Sequence, residues 1–157
     1  MKRNLLLVAL AGLSAISAPL HGADTPEPAP ARVVDPLAAA RAHVAAKRWQ
    51  PAVAELQRVN ASNSADWNNL MGYALRKRAT PDLDGAQRHY DAALRIDPLH
   101  RGALEYAGEL ALMKGELAVA EERLARLARI CSTPCEELDD LRKAVERYKA
   151  AGNRYRP

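Results

Sequence analysis

The chain repeats itself every 34 residues, and that period limits the folds open to it. Ala52, Leu56 and Val59 recur as Ala86, Tyr90 and Ala93, and again as Ala120, Leu124 and Leu127. The first member of each triple is alanine. Within a triple the spacing is four, then three, which sets the side chains on one face of a helix. A period of this length marks stacked supersecondary units. No such unit buries its apolar face alone, and about three in a row are needed for a stable core.

A further helix is predicted before each of these, over residues 36–47, 64–78 and 100–114. Gly72 and Gly108 occupy matching places, with small Ala40 in the first. They stand 36 apart because the Arg78–Asp84 connection is longer by about two residues. Small residues let paired helices approach, and bulky neighbours fill the space alongside. Hydrophobic residues make up 48% of the chain, enough for a core, and segments rich in Val, Ile and Thr are few, which argues against a sheet. The turns carry their own signals. Ser64 suits a helix N-cap. Thr80-Pro81-Asp82 suggests Thr80 as a cap with Pro81 in the first helical position. Asp97-Pro98 closes a helix, since the residue before proline disfavours helical geometry.

These residues resemble the tetratricopeptide repeat family. The second repeat carries the likeness best, through Trp67, Met71-Gly72, Ala86, Tyr90, Ala93 and Pro98. The first and third repeats lack the Trp and the closing Pro. The likeness spans roughly residues 33–134. The run from Arg101-Gly102-Ala103 through Glu105-Tyr106 and Gly108-Glu109-Leu110 to Cys131, Cys135 and Glu136 is similar to small exported bacterial proteins of that family. The expected fold is therefore all-α: a right-handed α-solenoid of three helical hairpins with a C-terminal capping helix. The resemblance also implies a concave groove lined by the first helix of each hairpin. Carried over residue by residue, its lining is Arg41, Asn69, Tyr73, Arg76, Glu105 and Glu109, with Lys77 on the rim. Tyr73 and Arg76 are the expected anchors, because aromatic and arginine side chains carry much binding energy. The Lys/Asn set that clamps a C-terminal carboxylate in chaperone-binding relatives is not visible.

Ahead of the repeats, residues 1–23 have the order of a secretory signal peptide. Lys2 and Arg3 precede the apolar stretch Leu5–Leu20, which is short for a membrane span. Cleavage is expected after Ala23, leaving no stable span. Residues 24–35 hold three prolines, with Pro36 directly after them, and form a linker; prolines block helix there. Residues 36–151 form the repeat domain with its cap, and 152–157 a tail. The expected location is periplasmic or secreted.

Behind the third repeat, Thr133-Pro134-Cys135-Glu136 has the spacing of a capping box with Thr133 as the cap. The helix that follows is expected to end near Ala150, with Gly152 as its stop. Leu138, Leu141, Val145 and Tyr148 form its apolar stripe. Acids lie early in it and bases late, which suits the helix dipole. Cys131 and Cys135 are the only cysteines. In an oxidising compartment they invite a disulfide that pins this helix. The alternative is a redox dithiol or a metal site. Against it, the gap of three residues differs from the thioredoxin-like two, and the four histidines are scattered.

No nucleophile elbow, phosphate loop or metal-spaced cluster is visible, so neither catalysis nor a cofactor is expected. Glu105 and Glu109 share a helix face, but a solvated or peptide-binding face explains them better than acid/base work. The formal charge is +4. Acids and bases are interspersed, so nucleic acid is not an expected partner. The function these features imply is a non-catalytic module that binds or scaffolds a protein or peptide of the cell envelope.

Overall fold

A computed structural model describes residues 35–155. The leader 1–23 and all but the last residue of the 24–35 linker lie outside the described residues. Among those described there are seven helices and no strand: α1 (Ala38–Ala45), α2 (Trp49–Val59), α3 (Ala65–Lys77), α4 (Leu83–Ile96), α5 (Arg101–Met113), α6 (Leu117–Ile130) and α7 (Glu136–Ala150). The fold is all-α. Each helix packs on the next in chain order, and α1 on α3, α3 on α5 and α5 on α7 also touch. No described helix is long and apolar enough to cross a membrane.

The repeated triples are the core of α2, α4 and α6. Ala52, Ala86 and Ala120 are all fully buried, as are Leu56, Tyr90, Ala93 and Leu127. An alanine at each crossing costs little side-chain entropy and admits the neighbouring helix closely. The core has two clusters. One gathers α1–α4 around Leu56, Trp67, Met71 and Tyr90. The other gathers α5–α7 around Leu104, Leu112, Leu127 and Leu141. Helix α5 joins them: Ala107 and Leu110 face the first cluster, Leu104 and Ala111 the second.

The glycines act as contact points. A Cβ on Gly72 would stand 2.7 Å from the Tyr90 ring, and one on Gly108 would stand 2.7 Å from Leu141. Trp67 reaches back to α2, where its indole N–H donates to the Leu56 carbonyl at 2.8 Å.

The turns repeat as well. After α1, Ala46, Lys47 and Arg48 donate to Ala42, Val44 and His43. After α5, Lys114, Gly115 and Glu116 donate to Leu110, Leu112 and Ala111. These are the same bonds displaced by 68 residues, two full periods. Both turns place their middle residue in the left-handed region, with φ 54° at Lys47 and 81° at Gly115. Helix α7 ends through the same three-bond pattern around Gly152, whose φ is 68°.

Ser64 caps α3 as expected, accepting from the Trp67 N–H. Helix α4 ends at Ile96, ahead of Asp97-Pro98. Two caps differ from the sequence expectation. Asp82, not Thr80, caps α4, its carboxylate accepting from the Gly85 N–H at 2.8 Å. Pro81 therefore precedes the cap. A carboxylate at the N-cap also gains from the helix dipole. Thr133 does not cap α7: the helix starts at Glu136 after an extended Cys135 (φ −133°, ψ 136°). Cys135 is tied through its sulfur to Cys131 and buried, so it takes the N-cap position and the capping box does not form.

Candidate functional site

The starts of α1, α3, α5 and α7 are joined side by side through charged contacts. Arg41 bridges Asp35 at 3.3 Å and Asp66 at 2.7 Å. Asp66 in turn meets His100 Nε2 at 2.9 Å, and Arg101 lies 3.7 Å from Glu137. His100 Nδ1 accepts from the Ala103 N–H as the α5 cap, which leaves the ring proton on Nε2 to donate to Asp66. His100 first, then Arg41, hold the Asp66 carboxyl below its ordinary range.

Farther along α3 and α5 an aromatic platform forms. The Tyr73 and Tyr106 rings lie 4.5 Å apart, and Trp49 from α2 meets Tyr73 edge-on at 5.7 Å. All three rings are half-buried. The Arg76 guanidinium sits 5.6 Å from both tyrosine centroids and bonds Glu109 at 2.5 Å. Behind it lies Tyr90, fully buried, its hydroxyl close to the Arg76 guanidinium but, among the described residues, outside hydrogen-bond geometry. Burial disfavours the Arg76 charge, but Tyr90 and Glu109 outweigh it and raise the pKa above the usual arginine value. Lys77 Nζ stands 6.0 Å from the Tyr73 ring centroid.

Glu105 is 8% exposed. Burial pushes its carboxyl up to about 8, and the nearby acids Glu109, Asp140 and Glu137 push the same way. Arg76 opposes the shift, but its guanidinium is already committed to Glu109. At neutral pH Glu105 is therefore mostly a neutral acid.

The six residues expected to line a groove thus divide. Tyr73, Arg76 and Glu109 come together in the platform, with Glu105 one turn away on α5. Asn69 is buried between α3 and α5, with its Oδ1 unpartnered. Arg41 lies with the charged row at the helix starts, away from Tyr73. Arg76 and Glu105 are interior groups rather than open lining, so Tyr73 and Lys77 present the accessible surface. The sequence reading left Trp49, Tyr106 and His100 out of the site. Tyr106 had no periodic signal: in the register that matches Gly72 with Gly108 it aligns with Leu70, not with Tyr73. Trp49 had none, because its helix belongs to the set not expected to line the groove.

Cys131 and Cys135 are joined as a disulfide, with Cα atoms 6.1 Å apart. Among the described residues, no group of three or more His, Cys, Asp and Glu side chains is placed to hold a metal ion. No family model matches the chain, and no curated protein matches it significantly.

Proposed function

We propose that the chain is an exported, non-catalytic tetratricopeptide-like module that binds a protein or peptide of the bacterial cell envelope. The observation that carries the binding reading is the platform of Trp49, Tyr73 and Tyr106 around a buried Arg76. Half-buried aromatic rings offer large contact area at low entropic cost, and Arg76 is already fixed by Glu109 before any partner arrives. Free energy of ordering is thus largely spent in folding rather than in binding. The repeat reading is supported by the identical turns after α1 and α5, set two periods apart. It is also supported by the contacts that bring the starts of α1, α3, α5 and α7 together. Export rests on the leader 1–23, and a disulfide suits an oxidising compartment.

The test is affinity capture from a cell-envelope extract with wild type, Tyr73→Ala and the Tyr73→Ala/Tyr106→Ala pair. Capture is expected to weaken at least tenfold in the single variant and to vanish in the pair, with helicity retained. Equal capture by all three would sink the platform. Arg76→Glu is a poor probe, because it sets two carboxylates in contact in a buried place and endangers the fold. Export is tested by N-terminal sequencing of the protein from its native host. A chain that keeps Met1 and stays in the cytoplasm contradicts that part.

A further inference from the structure

Beside the platform lies a cleft of about 660 Å³ between the C-terminal turns of α3 and α7. Its lining includes Lys77, Glu109, Ala144, Arg147, Tyr148, Ala151 and Tyr155. That volume falls in the range of pockets that take a drug-sized ligand or a few side chains, roughly 300–1,000 Å³. We infer that this cleft docks an acidic peptide segment through its side-chain carboxylates, as the continuation of a ligand lying on the Tyr73–Tyr106 platform. The inference rests on the binding reading above and names the chemistry of the partner.

Charge accounting supports an anionic occupant. Among the described residues, neither Lys77 nor Arg147 makes an ion pair, whereas Glu109, the acid that lines the cleft, is already paired. Glu109 is held by Arg76 at 2.5 Å, and Lys149 by Glu121 at 2.5 Å. Glu105 is largely neutral at pH 7. The ends of α3 and α7 each contribute roughly half a negative charge, so two cations leave an excess of about one positive charge. A cation at a helix end without a carboxylate partner has donors to spare for a ligand. The floor is apolar: Ala144 is small, and Tyr148 is buried beneath it. An acidic segment with aliphatic residues between its carboxylates fits both features. Lys77 borders platform and cleft alike, since its Nζ faces Tyr73, so one extended chain reaches both.

The test uses a fluorescein-labelled ten-residue peptide of alternating Glu and Leu, and its Gln/Leu counterpart, read by polarisation at two salt concentrations. The Glu peptide is expected to bind at least tenfold tighter than the Gln peptide, and to weaken with salt. Arg147→Glu reverses a charge off the platform, and Ala151→Trp fills the cleft edge without changing charge. Each is expected to cost at least tenfold. Arg129→Glu, an exposed change of equal charge on α6, is expected to cost nothing. Equal binding of the two peptides, or no loss in Arg147→Glu and Ala151→Trp, overturns the inference. If those variants still capture an envelope protein in a Tyr73-dependent way, the binding reading stands and only the cleft assignment falls. If neither peptide binds and nothing is captured, both fall.

Discussion

Replacing Glu105 with glutamine isolates one buried acid whose proton changes hands near neutral pH. The carboxyl is pushed from 4.5 up to about 8 by burial, with Glu109 on its own helix and Asp140 and Glu137 on α7 adding repulsion, against Arg76 on α3. Below pH 4.5 the group is protonated in both folded and unfolded chains. Between 4.5 and 8 only the folded chain keeps the proton, so unfolding releases it and stability falls as pH rises. Above the folded value both forms are ionised and the loss is complete. One pKa unit is about 1.4 kcal/mol. From pH 6.5 to 8.5 the wild type therefore loses about 2 kcal/mol. His89 acts in the opposite sense: burial lowers its pKa from 6.5, so its contribution is present above 6.5 and lost as pH falls. Starting at pH 6.5 keeps most of its titration out of the window, and what remains opposes the Glu105 slope by less than about 0.5 kcal/mol. In thermal unfolding followed by circular dichroism, 2 kcal/mol in a domain of this size corresponds to roughly 6–10 °C in Tm. Glu105→Gln keeps the shape without the titration, so its Tm is expected to stay flat across the window and to exceed wild type at pH 8.5. A wild type that is flat from 6.5 to 8.5, or a variant with the wild-type slope, refutes the reasoning.

Four further perturbations probe the fold. Lys47→Gly is expected to stabilise by about 0.5–1 kcal/mol in chemical denaturation, because Lys47 holds the left-handed conformation that Gly115 adopts two periods later. Gly115→Ala is expected to lose about 1 kcal/mol or more in the same assay. Gly72→Ala is expected to destabilise by about 1–3 kcal/mol despite better helix propensity, since its Cβ meets the Tyr90 ring at 2.7 Å; a gain in Tm contradicts the close crossing. Reducing the Cys131–Cys135 bond, or Cys131→Ser/Cys135→Ser, is expected to lower stability by about 2 kcal/mol, the scale for so short a loop, with helicity retained. Loss of all structure on reduction contradicts that estimate of its weight.

What the sequence revealed follows from which interactions are local and periodic. The helices α2, α4 and α6 were legible because Ala52, Ala86 and Ala120 mark a crossing that recurs at fixed spacing, and burial acts on spacing. Ser64 and Asp97-Pro98 were legible because a cap or a stop is decided within four residues. Asp82 was not, because two plausible caps flank Pro81 and only the path of the longer α3–α4 connection selects between them. Thr133 failed for a related reason: the bond to Cys131 holds Cys135 extended at the N-cap, outside the helix, and a four-residue motif does not contain that constraint.

The site was harder to read because the period names positions without naming depth. Tyr73, Arg76, Glu105 and Glu109 occupy the right helices, yet Arg76 and Glu105 are buried and Tyr73 only half-buried. Their depth is set by what packs over them: Tyr106 covers Arg76 on one side, and α7 brings Asp140 and Glu137 up to Glu105. The cap helix is thus more than an end-piece. It raises the pKa of Glu105 from one face and supplies Arg147 to the cleft from another. The same helix is held at its start by the disulfide. Neutralising Glu105 and seating α7 are therefore linked. Displacing α7 would hydrate Glu105 and lower its pKa, and would remove the second cation from Lys77. A helix whose sequence suggests only a solvated end instead sets the charge of the surface where a partner is proposed to bind.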